Sequence, residues 1–233
     1  MGTTVSVIIP TWNEAARIEE AVACARAVGD EVVVADGGSP DGTAELAARA
    51  GARVVHAPKG RGAQLHAGAQ AARGDVLLFL HADTALAPEA RAAVLRALED
   101  PGVPGGNFFL RFMPETRLAR VYTWLYHVRR RALRIYYGDS AMFVRREVYE
   151  RLGGFKPLPL LEDYEWMRRL ERHGRTAYVR EVAAETSTRR FADRPAQVMG
   201  EWVLIQGLYL LGVPPARLAR LYADVRERSR KAA

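Results

Sequence analysis

Five short clusters carry side chains able to do chemistry, and each stands beside an apolar run or a helix start. FLHADT (Phe79 to Thr84) ends the run VLLFL in His81 and Asp83. A carboxylate at a strand end can take a hard divalent cation that bridges phosphates, because magnesium uses one or two carboxylates plus substrate oxygens and water. His81 can ligate a metal, although imidazole suits transition metals better. It can also hydrogen-bond a ligand or orient Asp83, or it is an ordinary strand-end histidine. ADGGSPDGT places Asp36 at a strand end before a glycine turn, where its carboxylate can accept from a base N–H or a ribose hydroxyl. Ser39, Asp41 and Thr43 also read as a turn and helix cap. KGRGAQ (Lys59 to Gln64) sets two glycines, two cations and an amide before a helix. Such a loop can bring N–H groups and positive charge to a diphosphate, or be a solvated basic turn. LLEDYEW opens a helix with Glu162 and Asp163. Acids are favoured there electrostatically, and either can serve as a general base if an acceptor proton lies within reach. The fifth cluster is TWNE, Thr11 to Glu14, after VSVIIP. Neither a GxGxxG fingerprint nor a P-loop is present. His56, His66, His127 and His173 show no paired spacing and read as surface or packing residues.

The elements that must position these groups alternate. VSVIIP (5–10), EVVVAD (31–36), RVVHA (53–57) and DVLLFLHAD (75–83) read as strands. Helices are expected over 14–28, 43–50, 62–72 and 88–98, the last opened by Pro88. Alternation of this kind implies right-handed βαβ units and a parallel sheet, with ligands beyond the carboxyl ends of the strands. Three of the clusters should therefore meet at one edge. The second half reads differently: strands at 105–112, 137–146 and 175–179, a long helix over 115–134 with Leu118, Val121, Leu125 and Val128 on one face, and a loop entering a helix over 158–174. The fold class is α/β, a mixed and mostly parallel sheet flanked by helices. Residues 1–192 form one domain, with halves at 1–100 and 101–192, and 193–233 form a helical extension broken at Pro214-Pro215.

Composition narrows the partners. In 233 residues, 34 Lys and Arg against 27 Asp and Glu give a net charge of +7, which suits a nucleotide, a nucleic acid or an acidic membrane surface. Cys24 alone excludes a disulfide framework and a cysteine metal cluster. With no basic and apolar leader pattern, a reducing cytoplasm is expected. No apolar run is long enough to span a bilayer; WVLIQGLYLLGV (202–213) is interrupted by Gln206 and Gly207. The arginines at 129–131 and 134, with the tail from Trp202 to Lys231, can hold an acidic bilayer and a lipid acceptor, placing the protein at the inner membrane face. The tail also reads as a packing helix or a homodimer interface.

Taken in order, IIPTWNE, ADGGSPDGT, KGRG, HAD, the GGF of 153–155 and the Glu162-Asp163 pair resemble the family-2 glycosyltransferases of the GT-A fold, over about residues 4–190. FLHADT, GDSAMFVRR and LEDYEW resemble a bacterial subgroup described as radical-SAM/selenodomain-associated and linked to arsenosugar biosynthesis. The resemblance implies inverting transfer from a nucleotide-diphosphate sugar to the hydroxyl of a small-molecule or lipid acceptor, assisted by Mg²⁺ or Mn²⁺, with no nucleic acid involved. It places Pro10, Thr11 and Glu14 in the nucleotide pocket, Asp36 on the base, and Lys59, Arg61 and His81 near the nucleotide sugar. It makes Asp83 the metal ligand and Asp163 the base, with Glu162 the second candidate. Two departures remove carboxylates: His81 stands where relatives carry aspartate, and Ala35-Asp36 replaces an aspartate pair. The QxxRW acceptor motif is absent; TSTRRF follows the last strand instead, and its Arg189 and Arg190 can meet phosphates. Two rivals remain: a nucleotide-binding module without transfer, which has no use for the acidic pair, and a nucleotidyltransferase.

Overall fold

Alternating β-branched residues build the sheet's centre. In β1 (Val5–Thr11), Val5, Val7 and Ile9 face one helical layer and Ile8 the other. Burial on both faces is what a parallel strand between two helical layers requires. The computed structural model describes residues 2–190 and 194–222. β1 pairs in parallel with β2 (Glu31–Asp36) on one side and β4 (Val76–Phe79) on the other, and β3 (Arg53–His56) lies outside β2. The sheet continues through β7 (Met142–Arg145), β6 (Gly105–Met113), β8 (Ala177–Ser187) and β5 (Thr84–Leu86), in the order β3-β2-β1-β4-β7-β6-β8-β5. β7 is antiparallel to both β4 and β6, β8 is parallel to β6, and β5 is antiparallel to β8.

One face is covered by α1 (Ile18–Val28), α2 (Thr43–Arg49) and α4 (Ala90–Ala97), through Ile18, Val22, Ala47 and Val94. The other is covered by α3 (Arg61–Ala71), α5 (Arg117–Leu133), α6 (Arg146–Arg151) and α7 (Glu162–His173), through Leu65, Tyr126, Tyr149 and Trp166. Then α8 (Pro195–Leu210) closes over this second layer: the Tyr137 hydroxyl donates to Gln206 Oε1 at 2.7 Å, and that of Tyr122 to the Pro195 carbonyl. A further helical stretch at 215–222 contributes Leu218 to a small cluster with Ile135, Leu161, Tyr164 and Ile205. Among the described residues no helix is long and apolar enough to cross a membrane. Phe191, the tail beyond 222 with Lys231, and the side chain of Arg190 lie outside the described residues.

Three expectations change. The run 75–83 is not one strand: β4 stops at Phe79, a turn holds His81 to Asp83, and Thr84–Leu86 joins the far edge of the sheet beside β8. The turn is fixed by the Thr84 N–H on the His81 carbonyl (3.1 Å) and the Ser187 N–H on the Asp83 carbonyl (3.0 Å). The strand expected over 175–179 runs on to Ser187, because Val182, Ala184 and Thr186 are buried in alternation with the half-buried Ala183, Glu185 and Ser187. Finally, the strand expected over 137–146 is divided: a 3₁₀ turn takes Gly138–Ser140, β7 only Met142–Arg145, and Arg146 opens α6. On α5, Leu118, Val121, Leu125 and Val128 do share one face, and it is the exposed one. Val121 is 51% exposed, and the buried positions are Ala119, Tyr122 and Tyr126. Large amphipathic rings fill the inner face because their hydroxyls find partners there, Tyr126 on Asp139 Oδ1 at 3.4 Å.

Candidate active site

The strand order reverses at β1, with β2 and β3 laid to one side and β4 to the other, so the carboxyl ends of β1 and β4 flank a switch point. The clusters at these strand ends are joined. Thr11 and Asp36 are register partners, as are Pro10 and Ala35. The Asp36 carboxylate accepts four hydrogen bonds: on Oδ1 from Thr11 Oγ1 (3.0 Å) and Ser39 Oγ (2.6 Å), on Oδ2 from the N–H groups of Gly38 (2.9 Å) and Ser39 (2.8 Å). A carboxylate offers about four acceptor positions. Asp36 is therefore spent on its own turn. Burial pushes its pKa up, and these four donors outweigh burial and hold it below the ordinary value. From the next turn, the Asn13 N–H donates to Ser39 Oγ and the Glu14 N–H to Thr43 Oγ1, both at 2.9 Å. Buried Gln64 donates to the carbonyls of Thr11 (2.5 Å) and Ala35 (3.1 Å), tying α3 to both strand ends. Lys59 Nζ lies 3.6 Å over the Trp12 ring.

Asp83 and Glu14 share a cation. Arg189 Nη2 donates to Glu14 Oε1 at 2.9 Å and lies 3.5 Å from Asp83 Oδ2. Among the described residues no group of three or more His, Cys, Asp or Glu converges as a metal cage. His81 turns the other way from Asp83: a Cβ added at Gly138 would lie 3.0 Å from His81 Nε2 and 3.3 Å from Asp163 Oδ2, so ring and carboxylate flank the same backbone.

The residues on either side of Gly138, Tyr137 and Asp139, line a cavity of about 440 Å³ together with His81 and Asp163. Glu162 and Asp163, both 2% exposed, open α7 at its floor. The Asp163 carboxylate accepts from the Gly138 N–H (2.9 Å) and Arg61 Nη2 (3.1 Å) on Oδ2 and from the Tyr164 N–H (2.7 Å) on Oδ1. Arg61 Nε donates to Glu162 Oε1. Burial drives the Glu162 pKa upward against the pull of Arg61, and Asp163 pushes it up further. For Arg61, burial disfavours the charge, but the two carboxylates outweigh it and raise its pKa. Gly62 is what lets this happen: a side chain there would collide with the Lys156 carbonyl and press on Glu162. KGRG thus aims Arg61 at the acidic pair and away from the expected diphosphate.

Tyr126, Arg129, Tyr137, Asp139 and Trp202 also line the cavity; sequence reasoning marked Arg129 and Trp202 only for a bilayer or lipid acceptor and gave the other three no role. GDSAMF carried the only signal: Asp139 sits in a 3₁₀ turn, Gly138–Ser140, whose amide holds Asp163. Arg129 Nε and Arg194 Nη1 are buried with no hydrogen-bond partner among the described residues. Three of the four non-glycine residues at positive φ adjoin the site: Asn13 (57°), Ala141 (46°) and Leu161 (61°). Such strain persists where surrounding structure over-determines it, as functional sites do.

Known proteins resemble this chain in sequence and fold. The glycosyltransferase AglD of Haloferax volcanii is 32% identical over 177 residues, which is 66% of this chain but 26% of that protein. The chain thus spans about a quarter of this relative's length. Glucosyl-3-phosphoglycerate synthase of Mycobacterium tuberculosis superposes with a TM-score of 0.63 at 25% identity, over 91% of this chain and 82% of that one. A structure of that enzyme in complex with Mg²⁺ and uridine diphosphate gives 0.58 at 25% identity, over 80% and 70%. The model of the family "Glycosyl transferase family 2" matches residues 6–153, which contain the switch point, Asp36, Arg61 and Asp83. With more than half its length inside that match, the chain belongs to glycosyl transferase family 2.

Proposed function

We propose that the chain transfers a sugar from a nucleotide-diphosphate sugar to an acceptor hydroxyl, with inversion, using Asp163 as general base. The observation that carries this is the buried Glu162-Asp163 pair at the cavity floor, held by Arg61 and sharing the cavity with His81 from beyond the end of β4. Asp163 accepts three hydrogen bonds, which leaves about one acceptor position for the proton of an attacking hydroxyl. Arg61 holds both acids in place at the cavity floor, and Glu162 anchors Arg61. Glu14, Thr11, Pro10 and Lys59 bound the nucleotide side. Asp36 acts there indirectly, by fixing Gly38 and Ser39. His81 faces the sugar beside Asp163. Arg129 and Arg194 offer unpaired N–H groups to an anionic ligand.

Asp83 is the residue that would hold Mg²⁺ or Mn²⁺. A single carboxylate beside a phosphate-binding edge fits a hard cation that takes its other ligands from substrate oxygens and water. When bound, the ion would offset charge on the leaving nucleoside diphosphate; Arg189, already against Asp83, supplies positive charge at the same place. The strings FLHADT, GDSAMFVRR and LEDYEW support placing the chain in the arsenosugar-linked subgroup. The test is Asp163→Asn, with donor binding by calorimetry beside turnover: transfer should vanish and donor affinity persist. Equal loss of both would remove Asp163 from the base's role.

A second reading concerns where the acceptor comes from. Among the described residues, eleven of the twelve exposed large hydrophobic ones fall between Leu118 and Leu221, among them Val121, Trp124, Leu125, Val203, Leu204 and Leu211. Arg117, Arg120 and Arg131 flank them on α5. Apolar faces rimmed by arginine suit an acidic bilayer, and α8 carries Val198, Glu201 and Trp202 of the cavity wall. On this reading the protein works at a membrane surface on a lipid acceptor. Sedimentation with acidic vesicles at low and high salt checks it: no binding at low salt, or self-association in place of binding, would assign the face to a homodimer.

A further inference from the structure

The described structure holds a second, larger cavity that the proposed reaction does not use. It measures about 850 Å³ and shares no lining residue with the catalytic one. Helix α5 divides the two: Tyr126 and Arg129 point into the catalytic cavity, while His127, Arg130 and Arg131 line the other. Six arginines line it, Arg111, Arg120, Arg130, Arg131, Arg134 and Arg180, against two glutamates, Glu115 and Glu171. Arg111 is matched by Glu185 at 3.3 Å and Arg134 by Glu171 at 3.6 Å. Arg120, Arg131 and Arg180 make no ion pair among the described residues. Like charges gathered in a concave, low-dielectric wall raise the local potential and concentrate anions.

The centre of the cluster is preorganised. Arg130 lies 3.5 Å over the Tyr178 ring and 4.6 Å from that of Tyr136, and donates to Asn107 Oδ1 at 2.9 Å. Its Nε is buried with no hydrogen-bond partner among the described residues. The Tyr178 ring is held in turn by its hydroxyl on His127 Nδ1 at 2.6 Å, and His127 stacks on Phe109 with centroids 3.9 Å apart. A guanidinium fixed on aromatic faces loses little entropy when an oxyanion arrives, and planar guanidinium groups match phosphate oxygens. Asn107 also donates to Ser140 Oγ at 2.9 Å, in the 3₁₀ turn whose Gly138 amide holds Asp163.

From this geometry we infer a second anion site, separate from the donor site, in which Arg130, Arg131 and Arg180 bind a phosphate-bearing ligand. Its source is either a soluble phosphate compound or the headgroup of an acidic lipid, and one experiment separates them. Pyrophosphate is titrated by calorimetry into the full chain, into the double variant Arg131→Gln/Arg180→Gln, and into a charge-matched control, Arg26→Gln/Arg49→Gln, on the opposite helical layer. The same three proteins are then sedimented with phosphatidylglycerol vesicles. A soluble ligand predicts pyrophosphate binding that weakens at least tenfold in the cavity variant and not in the control. A lipid headgroup predicts that only vesicle binding separates the two variants. Arg130→Lys should retain part of whichever binding is seen, since charge survives and the planar fork does not. If the cavity variant and the control behave alike with both probes, the inference is overturned. Loss of nucleotide-sugar binding with this behaviour intact would refute the proposed transfer reaction and leave the second site standing.

Discussion

The two halves of the molecule fix their acids by opposite means. In the parallel half, Asp36 is held by the backbone and hydroxyls of its own turn and of the adjacent strand, all within 25 residues. In the mixed half, Glu162 and Asp163 are held by Arg61, about a hundred residues earlier in the chain. One acid is stabilised by dipoles it brought with it, the other two by a charge the fold must deliver. Local hydrogen bonds lower the pKa of Asp36, while burial raises that of Glu162. An acid fixed by its own turn is a structural part; an acid left raised beside a cavity is available for proton chemistry.

Exchanging acids for amides across the two halves should give the largest contrast. Asp163→Asn is expected to lower kcat about 10³-fold, roughly 4 kcal/mol of barrier, since general bases contribute ~10²–10⁴. Its stability should fall by less than the loss of Arg61 causes, because Glu162 still pairs with that cation. Asp36→Asn should do the reverse, weakening the fold and donor binding while kcat for bound donor stays close to that of the parent. Kinetics at saturating donor with a chemical melt of each variant measures this, and a matched loss of kcat in both would erase the distinction between the halves.

Next in size is the charge that crosses between them. Arg61→Met should leave two buried carboxylates without their cation, a change that costs about 3 kcal/mol when one partner of a buried pair is removed. A urea melt reads it. Removing Glu162 as well should restore part of the loss, because the double variant buries one fewer unpaired acid. No recovery in Arg61→Met/Glu162→Gln would mean the arginine acts through packing and not charge.

A smaller effect separates the acids by pH. The lowered pKa of Asp36 contributes stability that is present above the ordinary carboxylate value and fades as pH falls through the folded one, below about pH 4. The raised pKa of Glu162 has the opposite sign: its folded form keeps a proton that the unfolded chain has released, so stability falls as pH climbs above the ordinary value toward the folded one. Asp36→Asn should flatten the acid limb of the stability profile, and Glu162→Gln the decline above the ordinary carboxylate range. A shared shift in one direction would contradict the two environments.

The halves also differed in how far the sequence disclosed them. β1 to β4 and the convergence of TWNE, ADGGS and HAD could be read directly, because buried parallel strands are continuous apolar runs and their polar exits must fall at one edge. The acidic pair was visible by residue type and helix position. Its partner was not: nothing in KGRG says that Gly62 admits Lys156 and turns Arg61 toward Glu162. His81 and Asp83, two residues apart, were expected on one side, but the chain turns after Phe79 and sends them to different clefts. β5 was hidden because three residues at a distant edge carry too little pattern. For α5, periodicity marked a real apolar stripe but not which way it faces, since a leucine stripe and a tyrosine-lined face are indistinguishable until one knows which hydroxyls find partners.

That stripe supplies the smallest expected effect on the fold. Leu125→Ser and Trp124→Ser replace side chains that are 37% and 63% exposed, so each should change unfolding free energy by about 0.5 kcal/mol or less, as surface substitutions do. Tyr126→Phe, one position on, removes a buried hydroxyl that donates to Asp139 and accepts from the Tyr137 N–H; it should cost about 1–3 kcal/mol through the groups left unpaired. Neighbouring residues on one helix thus report different things, Tyr126 on the second half's interior and Trp124 on its outside. Serine at 124 and 125 together should weaken sedimentation with acidic vesicles while melting as the parent does. If those two substitutions destabilise the chain as much as Tyr126→Phe, the stripe is packed in solution and the outer face belongs to a protein contact instead of a bilayer.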